Sequence, residues 1–312
     1  MNTTHPDLVQ VSVWPRSERE IAKISLAVRA VEQRSPSLNV RFDPETGNAV
    51  IRGQDELGLL AVLALMDRTC INVGPLRVVY RLSITNSLEV DYTHKKRVGL
   101  EGEFARVGLL VSPEEAGSGF EFYSSIAGNS VPDEFIPGVA KGALSATQSD
   151  ALTDVPVVMD IKVVLIDGAF HDLDSSVSTF EIASRAALLD ALRTTTLVLF
   201  EPIMKLEIAA PEECAELIVA DLKARNGRVK DRQSRGGDVL VDATVPLANM
   251  FGYADALEGF APRAKYTLKF DHYAQIQLNP IRLFGQPQQF DWHYLASEAA
   301  NSKRFLRNGQ EA

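Results

Sequence analysis

The pattern that most constrains the fold is an order of elements that occurs twice along the chain. Residues 8–15 alternate between apolar and polar side chains like a strand, and apolar residues at helical spacing follow to about Glu32. Two strands then flank the turn sequence DPETGN (43–48), and a helix over 55–69 precedes a final strand at 77–84. This order, β-α-β-β-α-β, predicts a ferredoxin-like (split βαβ) domain.

The same order of elements returns near the C-terminal end. A strand is predicted at 203–209, and a helix that begins near Pro211 ends before Gly227. A hairpin follows, and then a helix predicted to begin at Pro246 and a last strand at 265–271. No repeat of individual residues accompanies this order, so the two copies are similar in architecture alone.

The segment between the two copies has a different order. Strands at 103–112, 120–125 and 155–167 and helices at 132–147 and 177–193 predict an α+β unit. The sequence therefore predicts an α+β protein in which two ferredoxin-like domains flank a central domain. The expected divisions are 1–85, 86–200 and 201–276, with a C-terminal tail at 277–312.

Composition bounds the classes of function. The net charge of -9 argues against a protein that coats nucleic acid by bulk positive charge, although it leaves room for local basic patches. Cys70 and Cys214 lie too far apart for a disulfide framework or a metal-binding spacing, which favours a reducing compartment. The longest apolar run, 57–66, is about half of the roughly 20 residues that a membrane span needs. No signal peptide is recognisable at the N-terminus, so we expect a cytoplasmic protein that does not enter a membrane.

The sequence lacks the short motifs of the common catalytic and metal sites. It contains no G-x-x-x-x-G-K-[ST] phosphate loop, no H-E-x-x-H, no C-x-x-C and no G-x-S-x-G. The stretch DELG (55–58) fits a loose GTPase pattern, but it is explained better as the start of a helix. We therefore predict no catalytic residue, no metal site and no cofactor.

The stretch DGAFHDLDSS (167–176) is the most informative local sequence. A metal site is disfavoured because neighbouring residues of one extended segment point in opposite directions. A catalytic triad is disfavoured because its members normally converge from separate elements. Asp174 and Ser176 are natural N-cap residues for the helix that follows. His171 and Asp172 remain, at the end of a long predicted strand, without a role in a core.

Six segments of the chain resemble bacterial elongation factor G, the translocation GTPase. The match is ordered along the chain and spans about residues 8–276. The segments are DPETGNAVIRGQDELGL (43–59), VPDEFIPGVAKG (131–142), IKVVLIDGAFHDLDSS (161–176), LFEPIMKLEI (199–208), VPLANMFGYADAL (245–257) and LKFDHYAQI (268–276).

The resemblance implies domains III, IV and V of that factor. In this family, two ferredoxin-like domains flank a ribosomal-protein-S5-domain-2-like α+β domain. The GTPase domain and the second domain of the family are expected to be absent from this chain. Because no residues are present that could cradle phosphates or hold Mg²⁺, we expect no GTP hydrolysis by the chain alone, and therefore no enzyme activity.

The resemblance also implies an RNA-binding tip on domain IV. His171 matches a tip histidine, and Lys96 and Gly99 match residues of the second tip loop. Arg97 stands where the family has glutamine, and Glu101 stands where it has arginine. The residues expected at this tip are His171, Asp172, Lys95, Lys96, Arg97 and Gly99.

Two alternatives remain open for the tip residues. The histidine could be satisfied by hydrogen bonds within its own loop. The basic run THKKR (93–97) could be an ordinary solvated turn.

A second basic cluster lies in the domain V-like part. The resemblance implies that it faces RNA of the large ribosomal subunit, while a solvated helix end and hairpin would have a similar sequence. Its members are Lys223, Arg225, Arg228, Lys230, Arg232 and Arg235.

The favoured function is that of a binding protein. The chain is expected to be a monomer that binds ribosomal RNA near the A site, with the small-subunit decoding region and large-subunit RNA as partners. One alternative is the C-terminal half of a split translocase that acts with a separate GTPase subunit. Another is a diverged scaffold without ribosome function. The tail, with Trp292 and Tyr294, is expected to form a partner surface or to pack on the domain IV-like unit.

Overall fold

The computed structural model describes residues 6–67, 69–98, 101–126, 128–148, 157–276 and 281–282. The helices are α1 (Ile21–Arg34), α2 (Glu56–Leu65), α3 (Ile136–Thr147), α4 (Val177–Thr194), α5 (Ala215–Ala224) and α6 (Tyr253–Phe260). The strands are β1 (Val9–Pro15), β2 (Asn39–Phe42), β3 (Ala49–Gly53), β4 (Ile71–Val73), β5 (Arg77–Val78), β6 (Arg81–Ile84), β7 (Leu88–Val98), β8 (Glu101–Pro113), β9 (Phe120–Ser124), β10 (Val157–Val158), β11 (Ile161–Ala169), β12 (Thr196–Pro211), β13 (Arg228–Arg235), β14 (Asp238–Pro246), β15 (Lys265–Gln275) and β16 (Ile281–Arg282).

The described residues form two compact units. The first contains the residues up to Tyr80 together with Glu201–Ala274, and the second contains Arg81–Phe200 with the described residues from Gln275 onwards. The chain passes between the units after Tyr80, Phe200 and Ala274, close to the boundaries predicted at 85, 200 and 276. The division into three domains stays a prediction, because the first unit contains both terminal segments. The α+β class predicted from the sequence is confirmed.

The N-terminal part of the first unit has the predicted order of elements. Its antiparallel sheet has the strand order β2-β3-β1-β4, and β5 also pairs with β1. Buried side chains of α1 and α2, such as Ile24 and Leu59, contribute to its core. Asp55 caps α2 by accepting a hydrogen bond from the Gly58 amide at 2.7 Å.

The predicted strand at 77–84 is wrong as a single element. Arg77–Val78 pairs with β1, whereas Arg81–Ile84 pairs with β10 and with the first residues of β12. The closing strand of the first sheet is β4, which pairs with β1 at Val13–Pro15. The sequence pattern of this stretch cannot reveal such a break, because strand pairing decides it.

The C-terminal part of the first unit is built on the second half of β12. That strand pairs with β14, which in turn pairs with β13, and β15 pairs with β12. The helix predicted to begin at Pro246 begins instead at Tyr253. The residues between Pro246 and Tyr253 form a short 3-10 turn at Leu247–Asn249, followed by the left-handed backbone of Gly252 (φ 68°).

The second unit contains a four-stranded sheet of order β7-β8-β11-β9. Alternate side chains of β8 (Val107, Leu109, Val111) and of β11 (Ile161, Val163, Leu165) are fully buried. Helix α4 packs on β7 and β8. The helices α3 and α4 confirm the predicted helices to within a few residues. Strand β7 was missed, because its many charged residues hide the alternation of its side chains.

Strand β16 extends the second unit by pairing Ile281 with Leu197. The remainder of the predicted tail, including Trp292 and Tyr294, lies outside the described residues. Within the described part of the chain, no helix is long and apolar enough to cross a membrane.

Candidate nucleic-acid interface

The β7–β8 hairpin and the segment after β11 lie at the same end of the four-stranded sheet. Lys95 pairs with Phe104, Arg97 pairs with Gly102, and the end of β11 at Ala169 pairs with β8. The chain then turns through His171–Ser175 before α4 begins. We call the surface formed by Lys95–Arg97 and His171–Asp174 the tip.

Hydrogen bonds to Phe104 hold the His171 loop against β8. The Phe104 amide donates to the carbonyl of Asp174 at 2.8 Å, and the Ser175 hydroxyl donates to the carbonyl of Phe104 at 2.6 Å. The same hydroxyl accepts from the His171 amide at 2.9 Å. Because Phe104 is the partner of Lys95, these bonds place the loop beside the basic part of β7.

The His171 ring is exposed and only partly engaged. Its side chain is 55% exposed, and Nδ1 accepts a hydrogen bond from the Leu173 amide at 3.3 Å. Nδ1 also lies 3.4 Å from a carboxylate oxygen of Asp174. While Nδ1 accepts from the Leu173 amide, a neutral ring carries its proton on Nε2. The loop thus occupies one ring nitrogen, and Nε2 can donate to another molecule.

The close approach of the loop to β8 depends on a glycine. A Cβ atom on Gly102 would lie 2.6 Å from the carboxylate of Asp174. A larger residue here would therefore require the Asp174 carboxylate to rotate away from β8.

Aromatic rings support the loop from within the second unit. Phe170, which precedes His171, lies 6.2 Å from Phe135 between ring centroids. Phe135 stacks in turn on the buried ring of Phe180 at 5.1 Å. This packing fixes the backbone from which the histidine projects.

The basic run lies within strand β7, not in a turn. Lys95, Lys96 and Arg97 are all exposed. Lys95 and Arg97 share one face of the strand, and Lys96 points to the other face with His94. His94 Nε2 lies 2.7 Å from Glu103, and this hydrogen bond, with Lys96 nearby, lowers the pKa of the Glu103 carboxyl. Gly99 and Leu100 lie outside the described residues.

An ion-pair network braces the sheet near the tip, and sequence reasoning missed it. The guanidinium of Arg106 on β8 contacts Asp91 on β7 and, at 3.1 Å, Asp167 on β11. The hydrogen bond with Asp91, followed by the attraction of both carboxylates, raises the pKa of Arg106. Because these residues are far apart in the sequence, only the strand register could reveal the network. Phe104 and Ser175 were missed for the same reason.

The predicted domain V cluster divides into engaged and exposed residues. Arg225 donates to Asp221 at 2.9 Å and to the carbonyl of Asn249 at 2.8 Å, and it lies 4.9 Å above the Tyr253 ring. Arg232 donates to Glu216 at 2.5 Å and to Glu212 at 3.0 Å.

Three residues of the domain V cluster remain available for a partner. Lys230 lies 3.8 Å from Asp271 and is therefore partly neutralised. Lys223, Arg228 and Arg235 are exposed and form no ion pair with the described residues. No group of three or more histidine, cysteine or acidic residues in the described part of the chain could hold a metal ion.

Two family models and several curated relatives match the sequence over most of the chain. The model of elongation factor G, domain IV, matches residues 76–196, and that of the elongation factor G C-terminus matches residues 198–283. Elongation factor G of Paracoccus denitrificans is 43% identical over 281 residues, covering 88% of this chain and 40% of that protein. Elongation factor G of Rhodopseudomonas palustris is 42% identical over 276 residues, with 87% and 40% covered.

A solved structure gives the same result in three dimensions. A crystal structure of a protein from Thermus thermophilus superposes with a TM-score of 0.68 at 29% identity. The superposition covers 96% of this chain and 43% of that one. This chain therefore spans about 40% of the length of the curated relatives it matches.

The fold and these matches define a set of translation-factor domains. The chain belongs to the elongation factor G family, of which it contains domain IV and the C-terminal domain. The resemblance stated from the sequence is thereby confirmed.

Proposed function

We propose that this chain binds the ribosome near the A site through its tip and does not hydrolyse GTP by itself. The observation that carries the proposal is the meeting of His171 and the Lys95–Arg97 segment at one end of a braced sheet. Ribosomes also set the expected compartment, which is the cytoplasm. The tip would face RNA of the decoding region of the small subunit.

The chemistry of the tip suits RNA better than it suits a protein partner. Exposed Lys95 and Arg97 can neutralise phosphates, and Nε2 of His171 can donate to a base edge or a 2′-hydroxyl. Asp172 is exposed beside the histidine and can accept from a base or a hydroxyl. With a net charge of -9, the rest of the chain would be repelled by RNA, which favours binding through the tip.

Co-sedimentation with purified ribosomes tests the proposal. We expect the wild-type chain to pellet with ribosomes and the His171→Ala/Arg97→Glu double variant to lose most of that binding. Arg29→Glu is the matched control, because it makes the same change of charge at an exposed position of α1. Absence of binding by the wild type would leave the scaffold alternative in place. Equal binding by wild type and double variant would reject the tip as the contact.

The domain V-like part provides a second, smaller RNA-facing surface in this proposal. Its contacts are expected from Lys223, Arg228 and Arg235, since Arg225 and Arg232 are held by internal partners. We expect Arg228→Glu to weaken binding to the large subunit. Arg225→Glu should instead lower the thermal stability of the chain, because it would place a carboxylate beside Asp221.

A split translocase is the second candidate function. In this proposal the chain, which spans about 40% of the length of its curated relatives, acts together with a separate GTPase subunit. Addition of a separately expressed GTPase subunit of the same family would then restore ribosome-dependent GTP hydrolysis and translocation. If the chain binds ribosomes but changes neither reaction, it acts alone as a binding protein.

A further inference from the structure

Leu173, in the middle of the tip, is the most exposed large apolar side chain in the described part of the chain. Its exposed fraction is 88%, whereas Leu57 and Leu26 are exposed by 72% and 68%. A leucine that lies in water to this extent contributes almost no buried apolar surface to the fold. Its contribution to the protein is therefore to be sought in a contact with another molecule.

Hydrogen bonds fix the turn that carries Leu173, so its exposure does not come from a loose loop. The Leu173 amide donates to Nδ1 of His171 at 3.3 Å. The amides of Asp174 and Ser175 both donate to the carbonyl of His171, at 3.2 and 3.0 Å. The Ser175 hydroxyl binds the carbonyl of Phe104 on β8. Single exposed leucines are common on protein surfaces, but this one projects from a backbone that is held in place.

We propose that Leu173 packs against the face of an RNA base that is not stacked on a neighbouring base. The inference rests on the proposed function, which is binding of ribosomal RNA by the tip, and it adds an apolar contact to that function. A side chain reaches the face of a base only where stacking is interrupted, as in the loops and bulges of RNA. Leucine is among the apolar residues that pack against bases in this way in complexes with nucleic acids.

The groups around Leu173 favour RNA over a protein as the partner. The same turn carries the His171 ring, whose Nε2 can donate to a base edge or a 2′-hydroxyl. The bonds to Phe104 place the turn beside Lys95 and Arg97, which can neutralise the phosphates that flank the base. A protein interface depends on a cluster of buried anchors, whereas one leucine is enough to cover the face of one base.

Ribosome binding by variants of Leu173 tests the contact. We expect Leu173→Ala to weaken binding about tenfold, because the removed carbons no longer leave water on binding. Leu173→Met keeps an apolar side chain of similar volume and should bind within about threefold of the wild type. Neither change should alter the slope of log K against log salt, because no charge is removed. Leu26→Ala is the matched control, since Leu26 is exposed on α1 and should leave binding unchanged.

Thermal denaturation separates a direct contact from a structural role. Because the side chain is exposed, Leu173→Ala should keep the melting temperature of the wild type. A variant that binds as tightly as the wild type overturns the contact and leaves ribosome binding by the tip in place. A variant that loses binding together with melting temperature also overturns it, because the leucine would then act through the fold. Absence of binding by the wild type rejects the proposed function, and the contact with it.

Photocrosslinking identifies the partner of Leu173. A benzophenone amino acid introduced at position 173 should form a crosslink to ribosomal RNA, at a nucleotide whose base is unstacked. The same amino acid at position 26 is the control and should give no crosslink to the ribosome. Crosslinks from position 173 to ribosomal proteins alone would overturn the assignment to RNA.

Discussion

Gly102 shows how one residue determines the shape of the tip. The residue lies in β8 opposite Arg97, and its missing side chain makes room for the carboxylate of Asp174. Asp174 also provides the carbonyl that accepts from Phe104. The glycine therefore provides space for the Asp174 carboxylate and does not serve an unusual backbone angle.

Replacement of Gly102 by alanine should disturb the tip through Asp174. Because the half-exposed Asp174 carboxylate can rotate away, we expect a loss of no more than about 1 kcal/mol of unfolding free energy, together with faster amide exchange over His171–Ser175. Chemical denaturation and hydrogen exchange would measure both effects. The double variant Gly102→Ala/Asp174→Ala should recover part of the loss, and strictly additive effects would contradict a direct clash.

The burial of Tyr80 makes the stability of the fold depend on pH in the alkaline range. Burial, with a further contribution from Glu201, raises the pKa of its phenol to about 12. As pH rises, the unfolded chain loses this proton near pH 10, before the folded chain does. The neutral phenol therefore makes its full contribution to the free energy of unfolding below about pH 10. This contribution is lost as pH rises through about 12.

Tyr80→Phe should flatten the alkaline decline in stability. Between pH 10 and 12 we expect the wild type to lose up to about 2.7 kcal/mol more than the variant, which follows from two pKa units. Denaturation at several pH values measures this difference. An identical decline in both proteins would show that Tyr80 titrates normally in the folded state.

At the scale of elements, the backbones of α3 and α4 lie in close contact. Cβ atoms on Gly138 and Gly142 would lie 2.3 and 2.2 Å from carbonyl oxygens of α4, those of Val177 and Glu181. Ser184 donates across the pair to the carbonyl of Val139 at 2.7 Å. Small residues one turn apart thus bring the two backbones into contact.

Alanine substitutions at two helical glycines should have opposite effects. Gly142→Ala should destabilise the second unit by about 1–3 kcal/mol, because the rigid backbone of α4 cannot move away. Gly259→Ala in α6 meets no atom within 4 Å and should stabilise the chain by about 0.5–1 kcal/mol. Thermal denaturation of both variants measures these two changes in stability. A Gly142→Ala variant that is more stable than the wild type would contradict the close contact between α3 and α4.

At the scale of the whole molecule, positive charge is concentrated at particular surfaces. The chain carries a net charge of -9, yet its two basic surfaces lie at the tip and around β13. Binding to RNA by such a protein would be local, and few counterions would be released.

The salt dependence of ribosome binding should report how many phosphates the tip neutralises. Arg97→Gln should reduce the slope of log K against log salt by about one, because one phosphate contact is lost. His171→Ala should weaken binding with less effect on the slope, because its ring is expected to contact a base or a 2′-hydroxyl and not a phosphate. Binding measured between low and moderate salt would test both, and an unchanged slope in Arg97→Gln would remove that residue from the interface.

Sequence by itself determined the class of fold, the position of most helices and the family. Apolar periodicity and turn residues are local signals, and the resemblance rests on segments such as IKVVLIDGAFHDLDSS (161–176) that are continuous in the chain. Local signals failed at 77–84 and at Pro246. In the first case strand pairing decided the outcome, and in the second the left-handed backbone of Gly252 did.

Only the tertiary structure decided how the candidate site is assembled. The bonds from Ser175 to Phe104, the bracing of Arg106 by Asp91 and Asp167, and the internal pairs of Arg232 join residues that are distant in sequence. Strand register sets such contacts, because it determines which side chains face each other across neighbouring strands.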